Sequence, residues 1–374
     1  MGSRQIIVGC VVTLMLIGLV MVYSNTAVAC GVNPLANRFV ARHLTWMLLS
    51  IAAMMVFAHV DYHDLTRHSR LIMLLTFASL VAVLVFGTRV NGAKRWFRLG
   101  PFSLQVSEFA KIAVILYVAG FVSRKSEILD DFWRGFLPPV FVLGAVFALI
   151  MLQPDFGTSA LIAAVAVTLL IVAGARWRHL APFLAAALPV LFVLLRMREY
   201  RWRRMIVFLN PWADPQGAGY HVVQSLIALG CGGWTGVGPG AGLQQHGFLP
   251  EAETDFIFAI FGQETGFAGC VLLMCAFIAL FYAGMRVARS APDALGALLA
   301  AGITVLIGFQ MLINIGVASS AMPTKGISLP FVSFGGSALL ALSAGVGIVL
   351  NVSRHCPRES LSRVRGATQK EAAA

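Results

Sequence analysis

Ten long runs in which apolar side chains occupy every face limit what this chain can fold into more than any other feature. They lie at about 5–24, 44–60, 70–87, 107–123, 135–152, 157–175, 179–196, 256–285, 292–319 and 330–352 of the 374 residues. A helix rises about 1.5 Å per residue, so about 20 residues cross a hydrocarbon layer about 30 Å thick. A membrane β-strand would instead alternate apolar and polar residues over about 10 positions, which Leu71 to Gly87 does not do. With 59% hydrophobic and 12% charged residues, a soluble fold is excluded as well. The expected class is an all-α polytopic membrane protein with about ten transmembrane helices and one large extracytoplasmic loop at about 197–255.

Residues 1–352 read as one membrane domain and 353–374 as a basic cytoplasmic tail. The first run is long for a signal peptide and reads as a retained span. Lys and Arg divide only weakly between the two sides, but the short loops at 175–179 and 286–289 and the basic tail favour both termini in the cytoplasm. Two basic clusters then fall on the outer face, Asn91-Gly-Ala-Lys-Arg-Trp-Phe-Arg98 and Arg196 to Arg204. Lipid headgroups or a phosphorylated lipid substrate would each account for them. Within the large loop, residues 219–229 are amphipathic and predict an interfacial helix, followed by seven glycines in 230–242 that do not form a nucleotide-binding P-loop. The six cysteines are scattered without metal-binding spacing. Asp61, His63, Asp64 and His68 superficially resemble a metal set, yet they sit in a short connection on the cytoplasmic side and are not read as one.

Ionisable side chains in or at the mouth of a span cost a few kcal/mol on insertion scales, so each calls for a role. Glu108 and Lys111 are spaced i, i+3 at the outer end of the fourth span, where they can pair or line a cavity. Asp155 stands between Pro154 and Gly157, placed to cap the next helix or to face the same cavity. In Leu249-Pro-Glu-Ala-Glu-Thr-Asp255 three carboxylates precede a span at once, with Asp255 at its boundary. Desolvation there makes a carboxylate a better proton acceptor. Glu264 would lie inside that span and needs a partner. Two prolines and three glycines between Met322 and Ser337 break the helical pattern, and such backbone is tolerated only where protein or a water-filled cavity satisfies it. Lys325 in this segment could hold a phosphate. These features fit a transferase acting on a lipid-linked anionic substrate, or a transporter of such a lipid. Charges near the outer face rather than the midplane, and no clear inverted repeat, favour the transferase.

The same motifs carry a resemblance. Asn91-Gly-Ala-Lys-Arg-Trp96, Ser107-Glu-Phe-Ala-Lys111, Gln153-Pro-Asp-Phe-Gly-Thr158, Asn210-Pro-Trp212, Leu249-Pro-Glu-Ala-Glu-Thr-Asp-Phe-Ile-Phe-Ala259 and Leu329-Pro-Phe-Val-Ser-Phe-Gly-Gly-Ser337 together resemble the SEDS family of shape, elongation, division and sporulation proteins. Pro323-Thr-Lys-Gly326 is similar to the family's division branch rather than its elongation branch. Gln263-Glu264 stands where many relatives carry two acidic residues, and Phe334 where tyrosine is usual.

The resemblance implies a peptidoglycan glycosyltransferase that polymerises lipid II at the outer face of the bacterial cytoplasmic membrane, at the division septum. It implies a class B penicillin-binding protein of the FtsI type and other divisome membrane proteins as partners, with no nucleic acid. Asp255 matches the family's proposed catalytic residue. Lys94, Arg95, Arg98, Lys111, Arg203, Arg204 and Lys325 are expected to stabilise the leaving pyrophosphate, with Glu108, Asp155 and Ser333 binding substrate or lining the cavity. No cofactor is assigned, although a divalent cation, Mg²⁺ or Mn²⁺, would suit a pyrophosphate. A lipid II flippase and an elongation-type polymerase are the alternative readings.

Overall fold

Every helix of a membrane bundle satisfies its own backbone, so side-chain packing decides which helix lies at the centre. The computed structural model describes residues 2–30, 38–90, 92–100, 102–125, 131–197, 199–242, 249 and 253–356. Its helices are α1 (Ser3–Cys30), α2 (Arg38–His59), α3 (Tyr62–Arg67), α4 (Ser69–Phe86), α5 (Val106–Arg124), α6 (Leu137–Leu152), α7 (Phe156–Val172), α8 (Trp177–Arg196), α9 (Glu199–Leu209), α10 (Tyr220–Gly232), α11 (Ile257–Ser290), α12 (Ala294–Ala318) and α13 (Gly336–His355). Nine of the described helices are long and apolar enough to cross a membrane, and α7 is a shorter apolar one. Each of the ten expected spans coincides with a helix, the last of them beginning at Gly336 rather than at 330 because Pro330 to Gly335 form a non-helical segment.

Helix α5 is the axis of the bundle, 83% buried, and packs against α4, α7, α12 and α13. Small residues set the close approaches. Gly302 of α12 lies against Ile115 of α5 and Leu169 of α7, and Gly345 of α13 against Ile112 and Ile303, so added side chains there would collide. Close approach through small residues is how helices pack where hydrophobic burial supplies no driving force. At the other extreme α8 is only 6% buried, with Trp177, Leu188, Val190 and Phe192 exposed on its surface. An exposed apolar surface of this kind on a spanning helix suits contact with the hydrocarbon of a bilayer.

Helix α11 is interrupted at Gly266, whose φ of 69° leaves the helical region. A side chain there would meet the backbone of Trp234 to Gly236, so the kink and the glycine-rich turn fit only because both are bare.

Three further features depart from the sequence reading. The basic start of the large loop is helical, as α9, and the expected interfacial helix at 219–229 extends to Gly232 as α10. The second span begins at Arg38 rather than residue 44, which brings Arg42 into a helix. Between α4 and α5, a small antiparallel sheet forms from β1 (Thr88–Val90), β2 (Ala93–Leu99) and β3 (Phe102–Gln105). Arg89 pairs with Lys94 and Arg98 with Ser103 in its register. Gly92 lies between β1 and β2 at φ 79°, a backbone conformation suited to glycine in a hairpin turn. The tail expected at 353–374 lies beyond the described residues from 357 onward.

At the end of the bundle away from this sheet, Asp61 accepts from the His63 backbone to cap α3, and Asp293 accepts from Gly296 to cap α12. The His63 ring bridges the two carboxylates, at 2.9 Å from Asp61 and 2.7 Å from Asp293. His68 bonds the Asp64 carbonyl instead. Asp61 therefore acts as a helix cap and His63 as a staple between helices, with Asp293 a partner from 230 residues away.

Candidate functional site

A cavity of about 1060 Å³ opens where the sheet, the Gln153–Thr158 turn, the segment entering α11 and the segment from Thr324 to Ala338 converge. Six cationic side chains line it, Arg42, Arg95, Arg98, Lys111, Arg204 and Lys325, together with three carboxylates, Glu108, Asp155 and Asp255. Trp96, Phe102, Phe256 and Phe334 add aromatic surface. The excess of positive charge over carboxylates in one concave site suits a polyanion such as a pyrophosphate.

Each charge has a local reason for its place. Lys111 Nζ lies 2.6 Å from Glu108 Oε2, both on the first turns of α5 and both buried. Asp155 caps α7 by accepting from Thr158 N at 3.2 Å, and so carries out the capping role while facing the cavity. Arg95 donates from Nε to the Gln153 carbonyl at 2.8 Å and from Nη2 to the Pro154 carbonyl at 2.6 Å, which ties the sheet to the turn that presents Asp155. Lys325 lies over the Phe156 ring, 4.4 Å from its centroid, and burial pulls its ammonium below the usual lysine range. A cation that is costly to desolvate is better stabilised once an anion arrives beside it.

Asp255 is held by its main chain. Asn314 Nδ2 of α12 donates to the Asp255 carbonyl and to the Ile327 carbonyl, each at 2.8 Å. Next to it Ser333 Oγ donates to the Thr254 carbonyl and accepts from Leu329 N, and Phe334 N donates to the Glu253 carbonyl. Gly326 packs so closely that a Cβ there would sit 2.6 Å from Asp255 Oδ2. Farther in, Glu264 finds the partners it needs: its Oε1 accepts from Ser24 Oγ of α1 and from Gly240 N of the glycine-rich turn, at 2.5 and 2.9 Å.

Of the residues singled out in the sequence, Glu108, Lys111, Arg95, Arg98, Asp155, Arg204, Lys325 and Asp255 come together on this cavity. Three do not line it. Lys94 turns back to the α4 terminus, where Nζ donates to the Leu84 and Val85 carbonyls at 3.3 and 2.9 Å, and these bonds hold it away from the cavity. Ser333 is buried in its loop by the two bonds above. Arg203 is exposed on α9, outside the cavity lining. Sequence reasoning missed Arg42, which stands 5.1 Å over the Phe334 ring, and His221, stacked on Phe256 at 5.9 Å. Both come from elements adjacent to the site only in three dimensions. Among the described residues no three His, Cys, Asp or Glu side chains converge in a metal-binding group.

The chain matches the family model described as cell cycle protein, FtsW/RodA/SpoVE, over residues 4–357. It is 41% identical to stage V sporulation protein E of Bacillus subtilis, over 92% of this chain and 96% of that one. To a protein of Geobacter sp. strain M18 named probable peptidoglycan glycosyltransferase FtsW it is 38% identical, with 98% of each chain covered. Among solved structures it superposes on a chain of a peptidoglycan synthase complex with a TM-score of 0.78, at 28% identity and covering 93% of this chain and 96% of that one. Against the rod shape determining protein RodA of Thermus thermophilus the TM-score is 0.68, at 26% identity and over 93% and 95% of the two chains.

Proposed function

This chain belongs to the FtsW/RodA/SpoVE family of cell cycle proteins, and from that premise we propose that it is a peptidoglycan glycosyltransferase that polymerises lipid II. The observation that carries the reading is one cavity in which a carboxylate at a helix mouth, Asp255, shares the space with six cations. Its relatives' names support it, several being called probable peptidoglycan glycosyltransferase FtsW.

Asp255 is the general base. It takes the proton from the acceptor sugar's 4-hydroxyl as that oxygen attacks the donor's anomeric carbon, and the bond from that carbon to the undecaprenyl pyrophosphate breaks with inversion. Attack and departure occur on opposite faces, so one base suffices. The departing pyrophosphate gains negative charge that Lys111, Lys325, Arg95, Arg98 and Arg204 stabilise before bulk water can. Glu108 fixes the Lys111 ammonium and Asp155 shapes the turn beside it. Lys94, Ser333 and Arg203 act indirectly, by bracing the sheet, bracing the loop, and drawing anionic lipid to α9. Mg²⁺ or Mn²⁺ would add positive charge against the leaving pyrophosphate, and the assay is run with and without it.

The reaction takes place at the outer face of the bacterial cytoplasmic membrane, with both termini cytoplasmic, at the septum. A class B penicillin-binding protein of the FtsI type crosslinks the product, alongside other divisome membrane proteins. The similarity to a chain from a peptidoglycan synthase complex supports such a partner. The division assignment rests on Pro323-Thr-Lys-Gly326 and on relatives named FtsW.

The test is glycan-strand formation from purified lipid II by this protein and its penicillin-binding partner in liposomes, with and without Mg²⁺ or Mn²⁺, comparing wild type with Asp255→Asn. Polymer from wild type alone is expected. Polymer from both removes the base from Asp255. Polymer from neither, with folded complex and intact substrate, turns the reading toward lipid transport, measured next as leaflet exchange.

A further inference from the structure

Asn314 is a buried amide on α12, 1% exposed, one turn after the buried Gln310 and four residues before the helix ends. A carboxamide nitrogen has two hydrogens, and here each goes to a different loop: one to the carbonyl of Asp255, the other to that of Ile327, both at 2.8 Å. Two carbonyls on one nitrogen fix the amide's orientation, since the flipped group would set three oxygens against one another. They also hold the two carbonyl oxygens within twice that distance of each other. One loop carries Asp255; the other carries Lys325 two residues before Ile327, and both side chains line the cavity.

We propose that Asn314 is a positioning residue that sets the base-bearing segment against the cation-bearing segment, fixing Asp255 relative to Lys325 without touching substrate. This rests on the glycosyltransferase reading for its kinetic consequence, but not for its structural one. The helix is a suitable anchor: α12 packs against α5, α7, α11 and α13, so the amide is mounted on the core while both loops lie at the rim. A second bond in parallel, Ser333 Oγ to the Thr254 carbonyl, joins the same two segments without reference to the core. Losing Asn314 therefore leaves the two segments joined only through Ser333 and Phe334, and frees the stretch that carries Asp255 to shift relative to the one that carries Lys325. Misplacement of reacting groups by a fraction of an ångström to 1 Å costs up to about a hundredfold in turnover, while binding through remote contacts persists.

The experiment uses the full chain with its penicillin-binding partner in liposomes, as wild type, Asn314→Asp and Asn314→Ala. Asn314→Asp keeps the shape but replaces both donors by an acceptor facing two carbonyls. Steady-state glycan formation should show kcat reduced about tenfold to a hundredfold with KM changed less than about threefold, and Asn314→Asp at least as impaired as Asn314→Ala. Hydrogen–deuterium exchange, read without substrate, should rise at residues 253–256 and 325–329 in both variants and stay unchanged in α5. Should Asn314→Asp misfold, Asn314→Ala, which leaves only a small void, carries both readouts. Wild-type exchange in both segments of a folded variant, or kcat within twofold of wild type, overturns the proposal. A wild type that makes no glycan removes the glycosyltransferase reading alone, and the exchange comparison then decides the role of Asn314.

Discussion

Lys111 Nζ lies 2.6 Å from Glu108 Oε2 one turn earlier on α5, with the two side chains 2% and 9% exposed. Two opposite charges taken from water together are tolerable, whereas one alone is not. Lys111→Ala should therefore lower stability by about 3 to 5 kcal/mol, while Lys111→Met combined with Glu108→Leu should cost far less. Thermal unfolding in detergent, followed by intrinsic fluorescence, measures both. Equal losses in the single and double variants would count against coupling of the pair.

Gly326 faces Asp255 at a distance no side chain tolerates, with a Cβ predicted 2.6 Å from Oδ2. Gly326→Ala must displace either the carboxylate or the loop. Turnover in glycan formation should fall about tenfold or more while the unfolding temperature moves little, because the collision is with a side chain at the cavity and not with packed core. Wild-type turnover would show that the carboxylate can move aside without consequence.

The staple at the opposite end of the bundle makes stability depend on pH. Burial alone would lower the His63 pKa, but hydrogen bonds to Asp61 and Asp293 outweigh it and the net shift is upward. A raised histidine contributes fully below its unfolded value of about 6.5, and its contribution is lost as pH rises through the folded value. The Asp61 carboxyl is held down, first by the His63 backbone N–H; Asp293 is held down by Gly296, His63 and Tyr62 against the opposing effect of burial. Their contributions are present above the unfolded value of about 4 and are lost as pH falls through the folded ones. The cluster thus stabilises most between about pH 4 and 6.5. Wild type should melt at a higher temperature near pH 6 than near pH 8.5, by a margin that shrinks in His63→Gln. An unchanged margin in that variant would sink the assignment.

How far the sequence carries depends on whether the partner is local. Spans read correctly because a run apolar on every face has one stable form in lipid, and Glu108 with Lys111 because three residues along a helix is a spatial contact. Asp155 as a cap follows from the Pro and Gly around it. Asp293 could not be assigned to His63, nor Arg42 and His221 to the cavity, because the order in which helices pack leaves no trace in the pattern along each one. Lys94 and Arg95 were grouped together as a basic cluster, yet they are adjacent strand residues and point apart. Asn314 is one of two buried amides a turn apart on an apolar helix, and its role is invisible until two carbonyls from distant segments are seen around it.

Glu264 offers the last test, since it lies within α11 and ties two other elements to it. Its Oε1 accepts from Ser24 Oγ of α1 and from Gly240 N of the glycine-rich turn, and the side chain is 3% exposed. Hydrogen bonds to a charged group contribute about 1.5 to 3 kcal/mol, and removing the acceptor strands a buried hydroxyl and a backbone donor. Glu264→Ala should therefore lower stability by about that amount and Ser24→Ala by less, because the latter leaves the Gly240 bond in place. Five glycines from Gly232 to Gly240 give the turn little stiffness of its own, so exchange at residues 236–242 should rise in Glu264→Ala and stay near wild type in Ser24→Ala. The opposite ranking, with Ser24→Ala loosening the turn as much, would mean that α1 rather than the Glu264 carboxylate holds it.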